Sequence, residues 1–212
     1  MVYQVFLQPQ ENYPFLPGQY TQIQTASGQW LAFSLASLPN QPLIELHIQQ
    51  LDTPNSQELF ASLQPNNLVN LKAAQGECAL PASDQPLTLV AASTGFAQIK
   101  SLVEEAISRN WQSPVYLYWA AHSLEDLYLY DLAQSWAAKL ANFIPCLETP
   151  PANWQGATGL VTHALAEHFT EANSAKNLTG FICGSPAMVY AVEDLLIEKG
   201  MPAKALLSDV HS

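Results

Sequence analysis

The period of the apolar pattern changes once along this chain, between residues 81 and 86. Before that point, short apolar or alternating runs (Tyr20 to Gln24, Trp30 to Ala36, Leu43 to Ile48, Leu68 to Ala73) are separated by the turn formers Pro-Gly, Ser-Gly, Pro-Asn-Gln-Pro and Pro-Asn-Asn. Such spacing predicts a small antiparallel barrel or sandwich, with one short helix over Asn55 to Leu63. After it, the continuous apolar run Leu87 to Ala92 feeds a segment whose Ile99, Leu102, Val103, Ala106 and Ile107 share one helix face. The unit repeats: Val115 to Ala121 then Leu124 to Leu140, Phe143 to Leu147 then Leu160 to Phe169, Gly180 to Cys183 then Ala187 to Lys199, and a last run Ala205 to Leu207. Buried strands alternating with amphipathic helices predict a five-stranded parallel sheet, doubly wound with helices on both faces. A chain of 212 residues is long enough for two units that each bury a core, which places one domain at 1–82 and the other at 83–212.

Helix ends agree with this parse. Ser123 and Asp126 have capping-box spacing, Ser185-Pro186 offers an N-cap followed by proline at the first helical position, and Gly200 stands where the last helix must stop.

Charge narrows the class of partner. Only 12% of residues are charged, and 18 acids against 7 bases leave −11, with no Lys or Arg before Lys72. Nucleic-acid binding needs clustered cations to neutralise phosphates, and an anionic membrane surface needs them too, so both are excluded as partners. No apolar run approaches the roughly 20 residues of a membrane span, and the uncharged opening lacks the basic start of a secretory signal. Cys78, Cys146 and Cys183 are odd in number and far apart, which fits neither a disulfide framework nor a metal knuckle. His163 and His168 lie five apart, off the helical metal spacing, so no metal is assigned. A reduced, cytoplasmic protein is expected.

In an open parallel sheet, ligands bind beyond the carboxyl ends of the strands. Two predicted strand ends carry small residues where a helix begins: Ala92-Ser93-Thr94-Gly95-Phe96 and Cys183-Gly184-Ser185-Pro186. Backbone N–H groups at such turns can receive phosphates, although small residues also serve close packing there. Neither turn has the GxGxxG or P-loop form.

Taken in order, Gly18-Gln19-Tyr20, Ala32-Phe33-Ser34-Leu35-Ala36-Ser37, Ile44-Glu45-Leu46-His47-Ile48, Gly76-Glu77, Thr94-Gly95-Phe96, Leu117-Tyr118-Trp119, Asp126-Leu127-Tyr128 and Cys183-Gly184-Ser185-Pro186-Ala187-Met188 resemble the motifs of ferredoxin-NADP reductase-like proteins. The likeness spans nearly the whole chain and is closest to bacterial NAD(P)H:flavin oxidoreductases. It implies a small antiparallel flavin-binding β-barrel, followed by the parallel nucleotide-binding domain. It also implies hydride transfer from NADH or NADPH to a flavin, either FAD, FMN or riboflavin, in the cleft between the two.

The resemblance assigns residues as well. Ala32, Phe33, Ser34 and Leu35 would lie along the flavin with Ser34 near its N5, and His47, Ile48 and Gln49 would line the remainder. Thr94, Gly95, Phe96, Cys183, Gly184, Ser185 and Pro186 would hold the nicotinamide nucleotide, with Cys183 beside the reacting carbon. His122 and Ser123 would face its adenosine half. Ser34 and Cys183 are the candidate catalytic pair, as positioning groups. From the residues alone, His47, alternating within a predicted strand, reads as a packed or hydrogen-bonded strand residue in preference to a catalytic one.

Three departures from the family pattern stand out. Leu31 occupies the place of an arginine that binds a flavin phosphate, Ala92-Ser93 replaces two glycines, and Met1-Val2-Tyr3 aligns with the family's second barrel strand, so that a barrel without its first strand is expected, with an open edge that invites a homodimer. A flavin held weakly, as a passing substrate, is the leading expectation. A reductase handing electrons to a protein acceptor, and a binding or regulatory module without tight flavin, are the alternatives.

Overall fold

The computed structural model describes residues 1–172 and 174–211. Its amino-terminal part contains four antiparallel strands, β1 (Val2–Leu7), β2 (Tyr20–Gln24), β3 (Trp30–Ser34) and β4 (Ile44–Gln49), and one helix, α1 (Pro54–Ser62). β1 pairs with β4 and β2 with β3, and the two ribbons are joined by a single bridge, Leu35 to Leu46. The predicted strand over Leu68 to Ala73 is reduced to one bridge, Ile23 to Leu71, and a second bridge, Tyr20 to Gln75, follows just beyond it. Within the ribbons, alternation sends Ile23, Leu35, Ile44, Leu46 and Ile48 inward to one apolar core, which Leu59 of α1 closes. α1 begins as its sequence dictates: Thr53 accepts from the Ser56 amide and Pro54 takes the first turn.

The rest is a parallel sheet of β5 (Leu87–Ala92), β6 (Val115–Ala121), β7 (Ala141–Leu147), β8 (Ala157–Thr158), β9 (Thr179–Cys183) and β10 (Leu206–Leu207), in the order β10-β9-β5-β6-β7-β8. Six strands replace the five expected. The addition, β8, is a two-residue edge pairing with Cys146 and Leu147, too short to leave a periodic signal. Its helices are α2 (Phe96–Ser108), α3 (Tyr130–Ala137), α4 (Val161–His168) and α5 (Pro186–Glu198). The expected long helix from Leu124 to Leu140 is instead a 3-10 turn at Leu124–Asp126 followed by α3. Leu127 is buried and Tyr128 hydrogen-bonds to His47 on β4, so the tertiary partners of these two side chains break the helix between them.

Two cores flank the sheet. One gathers Leu87, Leu89, Ala91, Ile99, Leu102, Val103 and Phe96 stacked flat on Trp119, with ring centroids 3.6 Å apart. The other gathers Val90, Tyr118, Ile182, Val189, Val192 and Leu196. α2 lies between the sheet and the β ribbons and is buried on both sides, including its polar Gln98, Lys100 and Ser101. No helix among the described residues is long and apolar enough to cross a membrane.

Candidate functional site

Strand order reverses between β5 and β9. From β5 the chain steps through β6, β7 and β8 to one side, and β9 and β10 lie on the other. Such a switch point opens a crevice at the carboxyl ends of its two central strands. Both of the small-residue turns singled out in the sequence meet there. After β5, Ser93–Gly95 form a 3-10 turn that leads into α2; after β9, Ser185 caps α5 by accepting from the Met188 amide, with Pro186 next. The turns abut so tightly that a side chain on Gly95 would collide with the Cys183 carbonyl, and one on Gly184 with Met188 and Ala92.

The β2–β3 ribbon faces this crevice. A cleft of about 370 Å³ is lined by Tyr20 and Gln22 from β2, Ala32, Phe33 and Ser34 from β3, Cys183 and Gly184 from the second turn, and Ser208, Asp209 and Val210 beyond β10. Register explains the ribbon's share, since Tyr20 pairs with Ser34 and Gln22 with Ala32, which puts the four on one face. The candidate catalytic pair is thus brought together. Burial pushes the Cys183 thiol up to about 12, the Asp209 charge adds to this, and a hydrogen bond with Ser34 pulls the other way, so Cys183 is a neutral thiol near pH 7.

Asp209, Gln22 and Ser208 were not anticipated. Gln22 and Ser208 could have been found only from the strand register and the fold, and Asp209 gives no sequence signal at all. Its carboxylate accepts from Gln98 Nε2 at 2.5 Å and from the Cys78 thiol at 3.4 Å. Burial raises its pKa, with the Cys78 and Gln98 hydrogen bonds opposing.

Other expected residues lie elsewhere. Leu35, Ile48 and Phe96 are at most 1% exposed and offer no surface to a ligand. His47 is buried between Glu45 Oε1, 2.9 Å from its Nε2, and the Tyr128 hydroxyl, 2.8 Å from its Nδ1, so it ties β4 to the sheet. Gln49 is exposed at the end of β4, opposite Val2. Leu31 is half-buried against the β core, opposite Ile23. Thr94 and Gly95 form the first turn as expected. His122 is exposed at the end of β6, and Ser123 completes the capping box with Asp126.

The cleft suits an uncharged, hydrogen-bonding ligand better than a phosphate. Ser34 offers a hydroxyl to the cleft, while Gln22 Oε1 is shielded from solvent and has no hydrogen-bond partner among the described residues. No Lys or Arg lines the cleft, and Asp209 adds an acid. The paired turns present helix amino ends of the kind that can receive phosphates.

Residues 89–194, half of the chain, match the family model described as the oxidoreductase NAD-binding domain. The chain belongs to the ferredoxin-NADP reductase-like oxidoreductases. It is 31% identical to the protein RfbI of Salmonella typhimurium over 96% of its own length and 61% of RfbI. It is 29% identical to an NAD(P)H-flavin reductase of Vibrio harveyi, over 99% of this chain and 92% of that protein. A ferredoxin NADP+ reductase from Neisseria gonorrhoeae, solved with bound FAD and NADP, has the same fold: TM-score 0.83 at 22% identity, over 98% of this chain and 92% of that one. The ferredoxin-NADP reductase-like pattern accounts for the antiparallel ribbons set before the parallel sheet. The chain therefore spans less than two thirds of RfbI and nearly all of the flavin reductase.

Proposed function

We propose that this protein oxidises NADH or NADPH and reduces a flavin that it binds weakly, as an exchangeable substrate. The observation that carries the reading is the single cleft in which Ser34 of the β ribbon meets Cys183 and Gly184 at the sheet's switch point. On this reading residues 1–82 form the flavin-side domain and 83–212 the nucleotide-side domain. A nicotinamide nucleotide and a flavin bound here supply a hydride donor and its acceptor, two electrons and a proton moving together while the flavin takes its second proton from solvent.

The chain's own work is alignment. The Ser34 hydroxyl orients the flavin ring edge, and Gln22 lines the ribbon face beneath it. Gly184, without a side chain, lets Met188 and Ala92 close in behind the turn, and the neutral Cys183 thiol packs beside the nicotinamide without adding charge. Asp209, anchored by Gln98 and Cys78, forms part of the cleft wall. Weak flavin retention follows from the missing cation, since a charge-assisted phosphate bond is worth about 1.5–3 kcal/mol. Resemblance to the Vibrio harveyi flavin reductase over almost its full length supports the same reading.

The test mixes purified protein with NADH or NADPH and riboflavin, FMN or FAD, and follows the loss of reduced-nicotinamide absorbance. Acceleration above the protein-free rate is expected with at least one flavin. No acceleration with any of them overturns the proposal. The cation-free cleft favours a second reading, a nucleotide-binding module that holds no flavin; it predicts nucleotide binding without flavin reduction.

A further inference from the structure

β1 is a strand with one partner. It pairs with β4 from Val2 to Leu7, and no other strand among the described residues pairs with its far side. The register fixes which groups that leaves free. The Gln50 amide donates to the Met1 carbonyl at 3.0 Å, so Met1 and Gln50 are a hydrogen-bonded pair, and along an antiparallel ladder such pairs alternate. Tyr3, Val5 and Leu7 therefore bond to β4, while the N–H and C=O groups of Val2, Gln4 and Phe6 point away from it. The far side of β4 has the matching phase, since the carbonyl of Glu45, the residue opposite Phe6, accepts from the Ala36 amide just beyond β3.

An open edge of this kind templates pairing with another chain unless charge, proline or a bulge blocks it. β1 has none of the three. No charged side chain precedes Glu11, Pro9 follows the strand instead of interrupting it, and the register runs from Val2 to Leu7 without a skipped residue. Its aromatic side chains are left exposed, Tyr3 at 40% and Phe6 at 55%. A net charge of −11 opposes contact between two copies wherever acids meet, and β1 is a stretch where they do not. The free groups are also self-complementary. Val2, Gln4 and Phe6 are evenly spaced about Gln4, so a second copy of β1, antiparallel and related by a two-fold axis at Gln4, sets Val2 opposite Phe6 of that copy and Gln4 opposite its own equivalent. Each is a hydrogen-bonded pair, which makes about six ladder bonds in all. Phe6 gains Val2 of the second copy as its cross-strand neighbour, and Tyr3 gains Val5.

We propose that the protein forms a two-fold homodimer by pairing β1 with β1 of a second copy, which joins the two β1–β4 ribbons into one four-stranded antiparallel sheet. The pairing is independent of nucleotide and flavin binding.

The test is sedimentation of the full chain over a range of concentrations, with amide exchange read residue by residue. A monomer–dimer equilibrium is expected. The Val2, Gln4 and Phe6 amides exchange slowly where the dimer dominates and at least about tenfold faster on dilution, whereas the Tyr3 and Val5 amides, held by β4, change little. Val2→Pro removes a donor that faces only the open edge, a position where proline is tolerated, and so deletes two bonds per dimer; the dissociation constant rises at least about tenfold. Phe6→Lys, which places a cation on the edge, weakens the dimer as well. Ile197→Lys, a like change at an exposed residue of α5, leaves it unchanged. Sedimentation as a monomer at every concentration overturns the proposal. So does a dimer in which the Val2, Gln4 and Phe6 amides gain no protection, one that neither Val2→Pro nor Phe6→Lys weakens, or one that Ile197→Lys weakens as much.

Discussion

Ser93 holds a left-handed backbone conformation, φ +50°, at the turn between β5 and α2. Its carbonyl is fixed by the Trp119 indole N–H at 3.1 Å, and its neighbour Gly95 presses on Cys183, so the turn cannot relax into a commoner geometry. A non-glycine residue there is strained by roughly 1–2 kcal/mol. Ser93→Gly is expected to stabilise the protein by up to about 1 kcal/mol, the relief being partly offset by glycine's greater unfolded-state entropy. Ser93→Val, β-branched, is expected to lose more than about 1 kcal/mol. Urea midpoints at unchanged slope measure both, and equal midpoints for the two variants would refute the strain. At this scale the sequence is a partial guide. The replacement of glycine by serine is visible in it, as are Ser34 and Cys183, but Asp209 reaches the cleft only because β10 ends beside β9, a fact of topology with no local trace.

At the scale of elements, α2 shows where periodicity stops being informative. Its apolar residues mark one face, and a helix on the surface of a sheet would leave the other wet. The β ribbons cover that other face, so Gln98, Lys100 and Ser101 are buried and must be paired. Gln98 donates to the Gly18 carbonyl at 2.7 Å, Ser101 accepts from the Gly18 amide at 2.9 Å, and the Lys100 ammonium donates to the Ala36 carbonyl and to Glu45, each at 3.0 Å. A period calculation sees three polar residues on a solvated face, since pairing across domains leaves no pattern in the helix itself. Glu45 has a consequence for acid stability. Burial alone would raise its pKa, but hydrogen bonds from His47, Lys100 and Gln4 and the Lys100 charge outweigh it and hold the carboxyl at about 2, against 4.5 ordinarily. A depressed carboxyl pKa stabilises the fold above the unfolded value and loses that contribution as pH falls through the folded one, a window here from about 4.5 to about 2 and worth about 3 kcal/mol. Glu45→Gln is expected to be less stable at pH 7, with the deficit shrinking across that window. A deficit that is constant with pH in chemical unfolding would refute this role.

The whole molecule is joined by the same charged cluster. Lys100 from α2 bridges Glu45 of β4 and Glu104 one turn on, at 3.0 and 2.9 Å, while His47 connects Glu45 to Tyr128 beyond the 3-10 turn. The cleft is formed by both parts, so its geometry depends on this attachment. Lys100→Ala removes the cation and leaves Glu45 buried, a loss typically of about 3–5 kcal/mol. The cost falls unevenly. β5 and β6 keep their apolar cores, whereas β1 and β4 form a two-stranded ribbon whose inward side chains have only the small β core to pack on. Hydrogen exchange on the variant is therefore expected to show faster exchange at the β1 and β4 amides and retained protection at β5 and β6. Nucleotide binding at the switch point should survive, while any flavin-dependent NADH oxidation falls. Uniform loss of protection across all ten strands would mean that the two parts unfold as one and that Lys100 is not the joint between them.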